Sequence, residues 1–378
     1  MADLHGTCDD RFRAVADTLA ANLDSGADLG ASVAVSVDGE MLVDVWGGHA
    51  DAGRTRSWES DTIANVWSTT KTMTALCALM LADRGTLDLH APVAEYWPEF
   101  AANGKEGVEV RHLLGHTAGL SGWEEPVDES VLYDWDRATS LLAAQAPWWE
   151  PGTASGYHAV TQGYLVGEVI RRVDGRTVGQ FLAEELAGPL GADFHIGLPT
   201  ADDHRVAELV PPPDMSEQLA ATASELTIKT LTNPVMSAEM TASDAWRRAE
   251  IPAAGGHGNA RSVARIQSVL ACGGELDGRR FLSAEGCEAV FEEQSYGVDL
   301  VLGLPLRFGM GYGLPSQDIP FPNERTCFWA GWGGSLVIVD LESRAVFAYV
   351  MNKMADGLVG DDRGLGLAAA ALGAIAVA

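Results

Sequence analysis

The sequence predicts an α/β protein in which one antiparallel layer is assembled from both ends of the chain, with a helical stretch inserted between them. Three observations predict it. Strand signals cluster near the start, at residues 31–37 and 41–46, and return only late, at 336–339 and 345–351. Between them the pattern is mostly helices and long loops, punctuated by Pro92, Pro147, Pro151 and the run Pro211-Pro212-Pro213. No internal repeat and no low-complexity linker divides the chain, so its 378 residues read as one compact unit with two lobes.

In chain order, residues 11–23 carry Phe12, Val15, Leu19 and Leu23 at helical spacing. Asp38-Gly39 between two β-branched runs is a hairpin signal. Residues 71–87 predict a helix whose apolar face holds Met73, Leu76, Leu79, Met80 and Leu87. A further helix is expected over 262–271. The strands at 336–339 and 345–351 are continuous apolar runs, as in a central hairpin of a sheet covered on both faces. The Ala- and Gly-rich stretch from 365 to 378 predicts a terminal helix packed on that sheet. The expected division is an α/β lobe from residues 1–75 and 250–378, a helical lobe from 76–249, and an active site between them.

Composition excludes several classes. An apolar fraction of 47% suits a folded globular protein. A formal net charge of −28 argues against nucleic acid, whose phosphates require clustered Lys and Arg, and against anionic membranes. The expected partner is a small molecule. Residues 1–17 are charged throughout with no apolar core, unlike a signal peptide, and no apolar run reaches spanning length; a cytoplasmic location is the expectation. Five scattered cysteines, Cys8, Cys77, Cys272, Cys287 and Cys327, form no C-x-x-C pair and read as buried free thiols. No cofactor or metal motif is present, and no G-x-S-x-G elbow.

The chemistry begins at Ser68-Thr69-Thr70-Lys71. The chain has four lysines, Lys71, Lys105, Lys229 and Lys353, and only Lys71 has a hydroxyl residue three positions before it. On a helix, i and i+3 share a face, so hydroxyl and amine can meet. A desolvated lysine can then serve as the base that activates the serine. On spacing alone, a solvated lysine beside a first-turn serine is an equally good account. A second element is Trp149 to Ala159, a Pro-Gly turn followed by Tyr157. A tyrosine beside a lysine can be held as phenolate, because the positive charge lowers its pKa. A third is Phe328-Trp329-Ala330-Gly331-Trp332-Gly333-Gly334-Ser335, where glycines let another backbone or a ligand approach a strand edge.

Together these elements resemble the serine β-lactamase-like esterases, the family VIII carboxylesterases related to class C β-lactamases and D,D-peptidases. The resemblance covers nearly the whole chain: residues 30–35 and 43–51 look like the family's first strands, and Leu113-Leu114-Gly115-His116-Thr117-Ala118-Gly119-Leu120 like its L-L-x-H-T-S-G-L signature. It implies a β-lactamase/D,D-peptidase-like α+β fold, an antiparallel sheet flanked by helices plus a mostly helical lobe. It also implies Ser68 as nucleophile, Lys71 as its hydrogen-bonded base, and Tyr157 as the group that deprotonates Ser68 in concert with Lys71 and then protonates the leaving alcohol. The backbone N–H groups of Ser68 and Trp332 become the oxyanion hole.

Two departures shape the expected substrate. Ala159 stands where the lactamases have Asn, and Trp329 where their third motif has Lys, which leaves no cation for a lactam carboxylate and favours neutral esters. The expected substrate pocket holds Trp329, Gly331, Ala159, Trp123, Trp148 and Trp149. His116 and His257 are read as structural, with a pocket rim as the other place for His257. The leading expectation is a serine carboxylesterase for short-chain acyl esters. The alternatives are an amide hydrolase, a weak β-lactamase or an acyltransferase using the same nucleophile, and a non-catalytic binder of the same fold.

Overall fold

The structure is a computed structural model that describes residues 2–214 and 223–376. Its main sheet has six strands: β1 (Leu4–Cys8), β2 (Gly30–Val37), β3 (Glu40–Gly48), β4 (Thr326–Ala330), β5 (Leu336–Asp340) and β6 (Ala345–Met351). Their spatial order is β1-β3-β2-β6-β5-β4, antiparallel throughout. The two ends of the chain meet where β2 pairs with β6, from Ala345 opposite Val37 to Met351 opposite Ala31.

Strand β6 shows why the late runs are apolar without a break. Val346, Ala348 and Val350 face the large core shared with the helical part, while Phe347, Tyr349 and Met351 face a second core on the outer side. Successive side chains of a strand point to opposite faces, so a strand covered twice needs apolar residues at every position. The covering helices are α1 (Arg13–Ser25), α4 (Ala260–Ala271) and α5 (Asp362–Ile375), with α2 (Thr70–Asp83) and α3 (Thr161–Asp174) between them in sequence. Helix α4 packs on β2 and β6, and α1 and α5 pack together over the outer face.

Helix α2 is buried from Thr70 to Leu81, as expected of a helix apolar all round and central to its fold. It ends earlier than its apolar spacing suggests. Gly85, at φ +70°, takes the left-handed conformation that closes a helix, and Leu87 lies beyond that stop. Two strands of the main sheet escaped the sequence pattern. Strand β1 has a mostly exposed, non-alternating sequence and exists through its pairing with β3. Strand β4 ends inside the glycine-bearing segment, whose remaining residues 331–335 form the turn into β5. A small three-stranded sheet joins Ala64–Asn65, Gly256–Gly258 and Phe194–Ile196. The segment entering the nucleophile turn is thereby held by residues far away in sequence. Of the cysteines, Cys77, Cys272, Cys287 and Cys327 are buried and Cys8 is half-buried; all are free.

Candidate active site

The turn that carries Ser68 is a single 3-10 turn, Trp67–Thr69, running straight into α2. Trp67 sits at φ +46°, a conformation costing an L-residue roughly 1–2 kcal/mol. Packing holds it there: its indole lies 4.9 Å from the Trp332 ring and 5.3 Å from the Trp246 ring. Strain stored beside a reacting group is a recurring feature of active sites.

Ser68 Oγ lies 3.1 Å from Lys71 Nζ and 2.7 Å from the Tyr157 hydroxyl. Lys71 is 1% exposed. It donates to the carbonyls of Ala159 at 2.7 Å and Ala253 at 3.0 Å, and it lies 4.8 Å from the centre of the Tyr157 ring. A neutral amine has two N–H bonds and one lone pair. With both N–H bonds committed to carbonyls, the remaining tetrahedral direction faces Ser68 Oγ. Burial holds the Lys71 pKa well below its ordinary value, with no carboxylate to oppose the shift. The arrangement therefore favours an amine able to take the serine proton. The ammonium so formed would find three acceptors already in place.

Tyr157 corrects one expectation. It is 4% exposed, and burial is the largest influence on it, raising its phenol pKa above the ordinary value despite hydrogen bonds from the Ser68 and Trp329 sides; the nearby Asp299 pushes the same way. A resting phenolate is therefore disfavoured, because the burial that raises the phenol also disfavours the charged form of Lys71 beside it. Tyr157 rests as a phenol that donates to Ser68 Oγ and accepts from Trp329 Nε1–H at 3.3 Å.

The turn at residues 331–335 opposite Ser68, which joins β4 to β5, is tied down by side-chain hydrogen bonds. Ser335 Oγ donates to Val66 O at 2.8 Å and shares a hydrogen bond with Thr69 Oγ1 at 2.9 Å. The Gly331 N–H donates to Ser335 O at 2.7 Å. A Cβ on Gly331 would stand 2.3 Å from Val66 O, 2.3 Å from Ser335 Oγ and 3.3 Å from Ser68 N. Glycine is thus what lets this segment lie against the Ser68 backbone, with Trp332 next in the chain. The Gly333-Gly334 turn behind it is held by Arg363, whose Nη2 donates to Gly333 O at 2.8 Å.

Trp329 is buried against Phe308 at 5.3 Å and Tyr157 at 5.4 Å, so this position holds an indole packed behind the tyrosine. Ala159 is half-buried beside the same cluster, and its carbonyl is the lysine's acceptor. The aromatic wall is corrected in part. Trp123 is 1% exposed inside the helical lobe, edge-on to Tyr164 and donating to Ala138 O, so it belongs to that core. Trp148 packs under the Lys229 ammonium and donates to Glu124. Trp149 donates to Ala154 O and packs on His158, supporting the Tyr157 loop from behind.

His116, at φ +61°, accepts from His158 N–H and packs 4.9 Å from the Tyr157 ring. His257 is fully buried with Nδ1 against Gly255 O, which places it away from any rim. The apolar residues packed around Tyr157 and Trp329 include Leu226, Leu302, Ile319 and Val359, all half-buried. None had a sequence signal: Leu302, Ile319 and Val359 each stand alone in an irregular segment, and Leu226 lies in a helix of only seven residues, Glu225–Leu231.

The sequence profile of the beta-lactamase family matches residues 15–371. The esterase/beta-lactamase LipL of Mycobacterium tuberculosis is 37% identical over 369 residues, which span 94% of this chain and 85% of that protein. Among solved structures, a family VIII carboxylesterase is 43% identical with a TM-score of 0.93, covering 98% of this chain and 100% of that one. A penicillin-binding protein homologue from Caulobacter crescentus is 40% identical with the same TM-score of 0.93 and the same coverage, 98% and 100%. Matched along nearly its whole length in sequence and in fold, the chain belongs to the beta-lactamase family and is a serine hydrolase.

Proposed function

We propose that this protein is a carboxylesterase that hydrolyses short-chain, uncharged acyl esters through an acyl-enzyme on Ser68. The observation that carries the reading is the coordination of Lys71, whose two carbonyl partners leave its third position to Ser68 Oγ.

The proton inventory closes over one turnover. As Ser68 Oγ attacks the ester carbonyl, its proton passes to Lys71. The tetrahedral oxyanion faces the backbone N–H groups of Ser68 and Trp332, at the N-terminal end of α2, where the helix dipole favours negative charge. Tyr157 gives its proton to the departing alkoxide, and the phenolate so formed is transient beside the new Lys71 ammonium. In deacylation, water attacks the acyl carbon and returns a proton to Tyr157. The Lys71 ammonium reprotonates Ser68 as it leaves. Each group ends as it began.

An uncharged ester is favoured because an indole and a methyl group occupy the positions where lactamases carry a cation and an amide. The relatives support the reading: one is named an esterase/beta-lactamase and another a family VIII carboxylesterase. The test is turnover of p-nitrophenyl acetate and butyrate beside nitrocefin, with intact-mass detection of the acyl adduct. Ser68→Ala is expected to abolish turnover and adduct, and Lys71→Ala and Tyr157→Phe to lower kcat by at least about a hundredfold. Full activity in Ser68→Ala would refute the proposal.

A further inference from the structure

The turn between two short strands, Ser295–Val298 and Pro305–Phe308, reaches back to the catalytic tyrosine. Asp299 opens it. The residue is 0% exposed, and its Oδ1 accepts three backbone N–H groups: Val301 at 3.0 Å and Leu302 at 2.9 Å within the turn, and Tyr157 at 3.1 Å across the site. A second bond, from Leu300 N–H to Ser155 O at 2.8 Å, ties the same two segments. The turn is braced from its other side by Thr227, whose Oγ1 donates to Val301 O at 2.7 Å. What it carries matters as much as what holds it. Val301 is buried in one apolar cluster with Tyr157, Phe308 and Trp329, and Leu302 packs half-buried against that cluster.

One carboxylate oxygen thus fixes the turn's shape and its distance from Tyr157 together. From this geometry we infer that residues 299–304 are the specificity element for the substrate's apolar acyl part, and that Asp299 is the positioning residue that registers this element against Tyr157. The inference rests on the esterase reading above. If Leu302 meets the acyl chain, trimming it changes how chain length is discriminated while leaving the reacting groups in place. If Asp299 acts through Tyr157, its loss changes kcat as well, and an amide oxygen in its place restores the three hydrogen bonds.

The experiment measures kcat and KM for p-nitrophenyl esters from acetyl to octanoyl, each enzyme normalised by titration of Ser68 with a fluorophosphonate and accompanied by a thermal melt. Leu302→Ala is expected to change the octanoate-to-acetate ratio of kcat/KM by at least about fivefold, with acetate kcat within about twofold of wild type. Asp299→Ala is expected to lower acetate kcat per titrated site by at least about tenfold, and Asp299→Asn to recover it to within about threefold of wild type. An unchanged chain-length ratio in Leu302→Ala would overturn the specificity role. A lowered melting temperature in Asp299→Ala with normal kcat per titrated site, or an Asn variant as impaired as the Ala variant, would overturn the positioning role. Should Asp299→Ala fail to fold, Thr227→Val loosens the same turn, and an unaltered chain-length ratio there counts against the inference. Wild-type enzyme that neither labels nor turns over esters would instead refute the esterase reading, so the two failures are separable.

Discussion

Gly331→Ala is the most informative single change available, because it adds one methyl group at the seam between nucleophile and strand edge. The new Cβ would lie 2.3 Å from both Val66 O and Ser335 Oγ, roughly 1 Å inside ordinary van der Waals contact. Ser335 cannot turn aside without giving up its bonds to Val66 O and Thr69 Oγ1. Val66 O is itself fixed by the Thr69 N–H at 3.2 Å as well as by Ser335. The remaining response is for Gly331 and Trp332 to shift away from Val66 O and the fixed Ser335 by about 1 Å. A displacement of that size takes the Trp332 N–H out of hydrogen-bond range of a developing oxyanion, and losing one such donor costs about 3–4 kcal/mol of barrier, or on the order of a hundred- to a thousandfold in kcat.

KM should change little, since a ground-state carbonyl depends less on that donor than the oxyanion does. The assay is steady-state hydrolysis of p-nitrophenyl acetate per phosphonate-titrated site, with a thermal melt as the control for folding. A Gly331→Ala enzyme that folds normally and keeps kcat within about threefold of wild type would refute the assignment of this strand edge to the oxyanion hole.

The pH profile follows from Lys71. Acylation needs the neutral amine, so kcat/KM rises with pH through the Lys71 pKa. Burial places that rise below the ordinary lysine range, and an acid limb centred near 10.5 would contradict it. Trp329→Phe keeps an aromatic ring behind Tyr157 but removes the indole N–H bonded to its hydroxyl at 3.3 Å and part of the buried ring; the expected loss is about three- to tenfold in kcat, checked by ester turnover with a thermal melt. Trp123→Phe is expected to lower stability by about 1–3 kcal/mol, because Ala138 O loses its buried donor. Denaturant unfolding checks this, and the acyl-chain preference should not move.

The sequence by itself determined the fold class and pointed to Ser68, Lys71 and Tyr157, which the structure brings together. Periodicity exposes a doubly covered strand such as 345–351 because every one of its positions must be apolar. The Ser68-Thr69-Thr70-Lys71 spacing is legible because a helix converts it into contact by local geometry alone. Element ends were less legible where one residue outweighs a pattern, as Gly85 does in stopping α2 before Leu87. Strand β1 was not legible at all, since its few polar residues become a strand only through β3.

Only the tertiary structure decided how those groups are poised. Lys71 is oriented toward Ser68 by the carbonyls of Ala159 and Ala253, backbone atoms that no side-chain pattern encodes. Tyr157 is kept a phenol by burial, a quantity that depends on every segment folded around it. Asp299 and Ser335 meet the Tyr157 loop and the nucleophile turn across 142 and 269 positions of chain. Trp123, alike in type to Trp329, lies in a different core. A residue's chemistry is local and can be read in order along the chain; its desolvation and its distant partners are properties of the closed fold.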